Sequence, residues 1–512
     1  MSPLLLAVLV SAAFAKPKDD PAPAPPPAPA GPTDAARAAE FTPWATALAS
    51  GNRQAGNDAL IALIDDPSKA HVAGEAWVHL GEGFADQGLP LAAIGAIGRG
   101  MSLDPAHAGA GVGKGLALVD QTGEPGLVGD ALSRSVGFQV DPSLRNQLAI
   151  VAARAQIDAG GYQAAIAILM MADKDLPKFE EVELLRGVAL SQQGQYTEAI
   201  APMLTASAAG VLAKREPEWQ SAAALNVARV YYSAGNYGEA INWYAKVDRS
   251  SDFWLDSQFE RAWAHFRGED VNGALAMLFT HDSPFFTDFF LPEPDLLRAY
   301  SLFLMCKFPD ATKQMDAFKA KYEPMQQELG ALSMSPAQAW ADVVAFRQDQ
   351  PTKLPLYVLR PFRHEDRLTD AIAAVAAADE ELAKAKAAGG RSGELAAELI
   401  TTQRDRRIEA EGNRVLRRVQ SAREQLGSML EGIEITRLDL LNLEAQMYER
   451  AAATGKLDYG QHVGDLRKMS RDKRGFRVWP WEGEYWADEL GWYVFNARPD
   501  CPETMARGET TP

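Results

Sequence analysis

A repeated order of large, small and helix-breaking residues, running from about Gly74 to Met325, constrains this chain more than any other feature. The clearest copy reads Trp77, Leu80, Gly81, Phe84, Gly88, Ala93, Ile97, Gly100, Pro105. With Ala93 as the register mark, a small residue returns at Ala165, Ala199, Ala240, Ala274 and Ala311. A turn comes before each of the first five of these later and earlier marks, at Gly88, Gly160-Gly161, Gly194, Gly235 and Gly268, and Tyr162, Tyr196 and Tyr237 follow three of those turns. The small residue lets a second helix lie close against the first, where a larger side chain would force the pair apart. The glycine ends the first helix by taking the left-handed conformation without a Cβ penalty. A repeat of ~34 residues built this way is a helix pair that cannot bury its apolar face alone, so neighbouring copies must stack. At 512 residues the chain is too long for one compact core, which suits an array.

This signature resembles the tetratricopeptide repeat, and units starting near Arg37 and Ala108 fit the same phase. The resemblance implies an all-α, TPR-type α-solenoid over residues 37–325, with about eight repeats whose first helices line a groove for another polypeptide. Helix-A positions that face inward in such a fold fall here on Glu82, Arg154, Arg229, Tyr232, Phe259, Trp263, Phe266, Arg267 and Tyr300. Aromatic residues gather toward the later units, and aromatic and Arg side chains dominate interface hot spots. The Lys/Asn/Arg clamp that the chaperone-tail-binding branch uses for a terminal carboxylate is not present at matching positions. The stretch Tyr231-Tyr232, Gly235, Tyr237, Ala240 resembles envelope-associated tetratricopeptide proteins of Gram-negative bacteria. The segments Pro284-Phe285-Phe286 to Pro292-Glu293, Cys306, Gly483-Glu484-Tyr485-Trp486 and Asp488-Glu489-Leu490-Gly491 resemble proteins of gliding and envelope machinery in delta-class bacteria. That resemblance implies a scaffold that holds envelope proteins, or peptide segments of them, in its groove.

The N-terminus points the same way. Leu4 to Val10 is a short apolar run that ends at Ala13-Phe14-Ala15, the small-x-small pattern of an export signal. Residues 1–15 are therefore expected to be a signal peptide, and residues 16–36 a Pro/Ala-rich linker of extended character. The expected location is the periplasm, with outer-membrane association open, and no later stretch reaches the ~20 apolar residues of a spanning helix. The net charge of −17 argues against nucleic acid as a ligand, because phosphate binding needs a basic face.

Beyond the repeats, residues 326–362 read as one helix and an irregular connection marked by Pro351, Pro355 and Pro361. Residues 363–454 read as a helical hairpin with its turn at Gly389-Gly390-Arg391-Ser392-Gly393. Its longer arm carries a coiled-coil seam. Val419, Leu426, Ile433, Leu440 and Met447 recur every seven residues, with Val415, Ala422, Met429 and Leu443 in the companion position. A homodimer through that seam is the competing reading. Residues 455–512 are basic from Arg467 to Arg477 and then Trp-rich; Trp479, Trp481, Tyr485, Trp486 and Trp492 form a docking segment for this protein or for a partner. In an oxidising compartment the only two cysteines, Cys306 and Cys501, are expected to form a bridge that ties this tail to the last repeat. The chain-entropy model gives such a bridge on the order of 4–5 kcal/mol.

No catalytic constellation is evident. Gly109-Ala110-Gly111-Val112-Gly113-Lys114-Gly115 lacks the Ser/Thr that must follow the Lys of a phosphate loop. The seven His are scattered, without the His-Glu-x-x-His spacing of a zinc protease, and there is no nucleophile elbow. The expectation is a non-enzymatic protein without cofactor or metal; the alternative is a cell-wall enzyme or enzyme subunit that positions its substrate with the repeats.

Overall fold

The computed structural model describes residues 34–105, 109–134, 141–208, 211, 216–283, 286, 290–363 and 365–454. The expected signal peptide, most of the linker and the whole segment from residue 455, including Trp479, Trp481, Tyr485, Trp486, Trp492 and Cys501, lie outside the described residues. All regular structure among the described residues is helical. The chain divides into two units.

The first unit takes the described residues of Met1–Ala206, Pro336–Gln348 and His364–Arg414. After α1 (Asp34–Glu40) it contains five consecutive helix pairs. These are α2 (Thr42–Ala49) with α3 (Arg53–Asp65), α4 (Ala70–Asp86) with α5 (Pro90–Leu103), α6 (Gly109–Thr122) with α7 (Gly126–Arg134), α8 (Arg145–Asp158) with α9 (Tyr162–Leu169), and α10 (Phe179–Gln192) with α11 (Tyr196–Ala206). The second unit takes Ser207–Ser335, Asp349–Arg363 and the described residues from Val415. It contains three pairs: α12 (Pro217–Ser233) with α13 (Tyr237–Tyr244), α14 (Trp254–Arg267) with α15 (Val271–Leu278), and α16 (Pro292–Leu304) with α17 (Phe308–Ala331).

Sterics at the register marks explain the pairing. Ala93, Ala165, Ala199, Ala240, Ala274 and Ala311 are all fully buried. A Cβ added at Gly81 would stand 2.6 Å from Ile97 Cγ1 and 2.9 Å from the Ala93 carbonyl oxygen, so α4 and α5 meet at a distance only glycine allows. Gly88, Gly160, Gly194 and Gly235 hold φ of 72° to 79° and end their helices as the sequence leads one to expect. Gly268 does not: its φ is −83°, and Glu269 takes the left-handed position at 66°. The helix runs one residue further there, and Asp270 then caps α15 by accepting the Gly273 N–H at 2.8 Å.

The remaining helices are α18 (Pro336–Arg347), α19 (Leu356–Leu359), α20 (Asp366–Ala388) and α21 (Gly390–Thr454). The expected five-residue turn at Gly389–Gly393 shrinks to Gly389, because Gly390 already starts α21. In the first unit, Ala378 and Ala385 of α20 and Leu399 and Ile400 of α21 join the core formed by Leu80, Ile94 and Ile97. Glu381 completes α5. Leu89 offers no side-chain cap and Pro90 has no N–H, so the Leu91 and Ala92 amides donate to the Glu381 carboxylate at 2.9 and 3.0 Å. Arg367 donates to buried Glu411 at 3.1 Å, and Arg414 bridges Glu411 at 2.6 Å and Glu365 at 2.7 Å. Asp379 pairs with Arg404 at 2.6 Å.

In the second unit, the heptad residues Val415, Leu426, Ile433 and Leu440 are buried. The partners along this part of α21 come from the repeats. Glu434 pairs with Lys319 at 2.7 Å, Arg437 pairs with Asp316, and a Cβ at Gly432 would lie 2.7 Å from the Tyr300 hydroxyl.

Candidate binding face

The second unit gathers charge at one place. Arg229 of α12 grips Glu260 of α14 with two nitrogens, Nε at 2.9 Å and Nη2 at 2.5 Å. Desolvation opposes the guanidinium charge, and the Glu260 carboxylate more than offsets it, so Arg229 stays firmly cationic. Tyr244, fully buried behind the pair, is pushed well up by burial and then by Glu260. Tyr232 is pushed up to about 12, chiefly by burial.

Two further carboxylates face the same place. Asp256, one turn before Glu260, is exposed to solvent on the same helix face. Burial raises it, and Glu260 raises it further, against Arg229 and Arg418. Glu293, in the first turn of α16, is pushed up to about 7. Burial is the main cause; its own amide opposes, Asp256 adds to the rise and Arg418 of α21 lowers it. Counting Arg229, Glu260, Asp256, Glu293 and Arg418, the cluster carries three acidic and two basic groups. It is a surface cluster with one more acidic than basic group, which suits a cationic side chain.

Aromatic side chains flank it. Tyr232 meets Tyr237 edge to face at 5.5 Å, and Arg267 donates to the Tyr237 hydroxyl at 3.3 Å. Phe259 packs near His281 at 6.3 Å, and burial lowers that imidazole to about 4. Trp263 and Phe266 meet at 5.6 Å and pack half-buried on Ala262, Met277 and Leu297. Arg229, Tyr232, Phe259, Trp263, Phe266 and Arg267 thus lie on α12 and α14. Tyr300 differs: its hydroxyl reaches Gly432 and Thr436 of α21, so the chain's own helix covers it. Glu82 and Arg154 belong to the first unit. Glu82 pairs with His79 at 3.0 Å, and exposed Arg154 pairs with Glu181 at 2.5 Å. Cys306 follows α16 in the left-handed region, at φ 56°.

Reading the sequence by inward helix-A positions passed over Asp256, Glu260, Glu293 and Arg418. Asp256 and Glu260 sit four apart and could have been found as the carboxylate row beside Phe259 and Trp263. Glu293 reads from sequence as an acidic residue in a helix first turn, and nothing local shows its enclosure.

No family model matches the chain, and no curated protein matches it in sequence. Among solved structures, that of Naa15/Naa10 bound to HypK-THB matches with a TM-score of 0.28 and 12% identity, over 81% of this chain and 62% of that one. This chain therefore spans less than two thirds of the length of that structure's chain. Overlap at that score does not fix an architecture. No described helix is long and apolar enough to cross a membrane.

Proposed function

We propose that this chain is a non-enzymatic scaffold that holds a partner polypeptide on the helix-A face of its second unit, in an exported envelope complex. The observation that carries the reading is the carboxylate excess of Asp256, Glu260 and Glu293, bordered by Tyr232, Phe259 and Trp263. Aromatic side chains supply contact area, and a desolvated charge supplies selectivity for a Lys or Arg of the partner. Export, a periplasmic location and a link to motility machinery rest on the N-terminal run and on the resemblance described above. We also read α20 and the part of α21 up to Arg414 as the arms of a helical hairpin, on the strength of the Asp379–Arg404 and Glu365–Arg414 pairs. The test is crosslinking with mass spectrometry in the native host, comparing wild type with Asp256→Asn/Glu293→Gln. Crosslinks from α12 and α14 to a basic stretch of a partner, lost in the variant, are expected. Crosslinks that persist unchanged, or that avoid α12 and α14 altogether, refute the reading.

A second reading has one observation in its favour. A carboxylate raised toward neutrality near another carboxylate is a frequent mark of acid–base chemistry. Turnover of peptidoglycan or peptides by the purified chain, abolished by Glu293→Gln, would move the assignment to a cell-wall enzyme.

A further inference from the structure

The last part of α21 is apolar on two faces. One is the heptad face, on which Ile433 and Leu440 are buried. The other carries Ile435, Leu438, Leu441 and Ala445, at steps of three, three and four, which form a single stripe on a 3.6-residue helix. Ile435 and Leu438 are each 62% exposed and Leu441 52%. A helix on a protein surface needs one apolar stripe for its core. A second, left in water, marks a face that something covers.

We propose that this stripe is the docking site for the chain's own Trp-rich segment, Trp479 to Trp492. Three features favour that occupant over a second copy or a foreign partner. First, 58 residues follow Thr454 (512 minus 454), and four of them are Trp479, Trp481, Trp486 and Trp492, which need apolar cover of their own. Second, the reach is ample. Leu438 lies 16 residues before the helix end, roughly 24 Å at the helical rise, while the 25 residues from Thr454 to Trp479 extend to roughly 80 Å. A tether of that length puts the segment at an effective concentration in about the millimolar range, far above that of a second molecule. Third, charges match. Exposed Glu431, Asp439 and Glu449 border the stripe, and the segment is preceded by Arg467, Lys468, Arg471, Lys473, Arg474 and Arg477.

Tryptophans from the tail lie over Leu438 and Leu441, and the basic stretch runs past the carboxylates beside them. The stripe and the tail then solve each other's exposure without a partner.

The experiment is hydrogen exchange on the full, unreduced chain, following peptides from Trp479 to Trp492, with light scattering on the same sample. A monomer in which these peptides exchange roughly tenfold or more slowly than an unstructured chain is expected. Leu438→Glu/Leu441→Glu should return them to within about twofold of the unstructured rate. Both positions are exposed, so the change leaves the helix intact, as unaltered circular dichroism would show. As a second arm, a photo-crosslinking amino acid placed at Leu438 should join within the same chain to peptides from Trp479 to Trp492, and Trp481→Ser/Trp486→Ser should abolish the product. A tail that exchanges freely in the wild type, or that stays protected in the double Glu variant, overturns the proposal. So does a dimer whose crosslinks join isotopically different chains.

Discussion

Glu293 offers the sharpest test of the charge cluster. A carboxyl group held at about 7 in the folded chain and near 4.5 when unfolded binds its proton more tightly in the fold. Folding is then most favoured below pH 4.5, and that share of the stability is lost as the pH rises toward 7. The window follows from the two values. At 1.36 kcal/mol per unit, the loss is about 2 kcal/mol at pH 6 and about 3 kcal/mol at pH 8. These are upper values, because Glu293 keeps some solvent contact and water screens the ionised form. The assay compares Glu293→Gln with wild type by urea denaturation at several pH values. Gln mimics the protonated carboxyl, so titration of all other groups cancels in the difference. The variant should match wild type near pH 4.5 and become progressively more stable above it, in whichever transition reports the second unit. A difference flat within about 0.5 kcal/mol from pH 4.5 to 8, or one of opposite sign, would show that Glu293 is not enclosed among like charges. A bound cation should remove the effect, because a Lys or Arg seated against Asp256 and Glu293 restores the ordinary carboxylate range. The same pH series run with a Lys/Arg-rich peptide should therefore flatten the wild-type curve and leave the variant unchanged.

Three further outcomes test other parts of the molecule. Glu381→Ala removes the acceptor for the Leu91 and Ala92 amides and should lower the stability of the first unit by about 2 kcal/mol, with Glu381→Gln recovering part of it, both read from urea titrations. Arg414→Met leaves Glu411, 1% exposed, without its shortest partner and should cost about 3 kcal/mol in the same assay, while a loss under about 0.5 kcal/mol would mean that Arg367 suffices. For the cysteines, non-reducing peptide mapping of the exported chain should find Cys306 and Cys501 in one linked peptide pair, and alkylation of both without prior reduction would remove the bridge.

The helix pairing was legible because it rests on local sterics. A small residue at Ala93 or Ala240 and a left-handed glycine at Gly88 or Gly235 act within one pair, and their spacing survives in the sequence. The miss at Gly268 shows the limit of that signal. A glycine marks the neighbourhood of a helix end, while the residue that turns left-handed is set by where the next helix must start, here by the Asp270 cap. The charge cluster was less legible. Arg229 and Tyr232 stand out by position, but their meaning depends on Glu260 31 residues after Arg229, on Glu293 in the next pair, and on Arg418 far along the chain. Nothing in the spacing of a repeat encodes which charges will share a dielectric environment. The Glu381 cap of α5, 290 residues from Leu91, is illegible for the same reason.

The heptad seam shows a different kind of ambiguity. Seven-residue spacing states that a helix has a narrow apolar face; it does not state what covers that face. Val419, Leu426, Ile433 and Leu440 satisfy the coiled-coil pattern, and in the second unit they are buried within the chain. The neighbours that surround this stretch are Tyr300, Lys319 and Asp316 of α16 and α17. A homodimer through the same face would have to strip those contacts first. It would expose Leu426 and Ile433, both fully buried, and would break the Lys319–Glu434 pair, before any new seam formed. Truncating two such side chains costs several kcal/mol, and the exposure cost is of similar order. Self-association of this chain is therefore expected to use another surface or none. The stripe at Ile435, Leu438 and Leu441 is such a surface, and the docking of the tail proposed above would compete with self-association there.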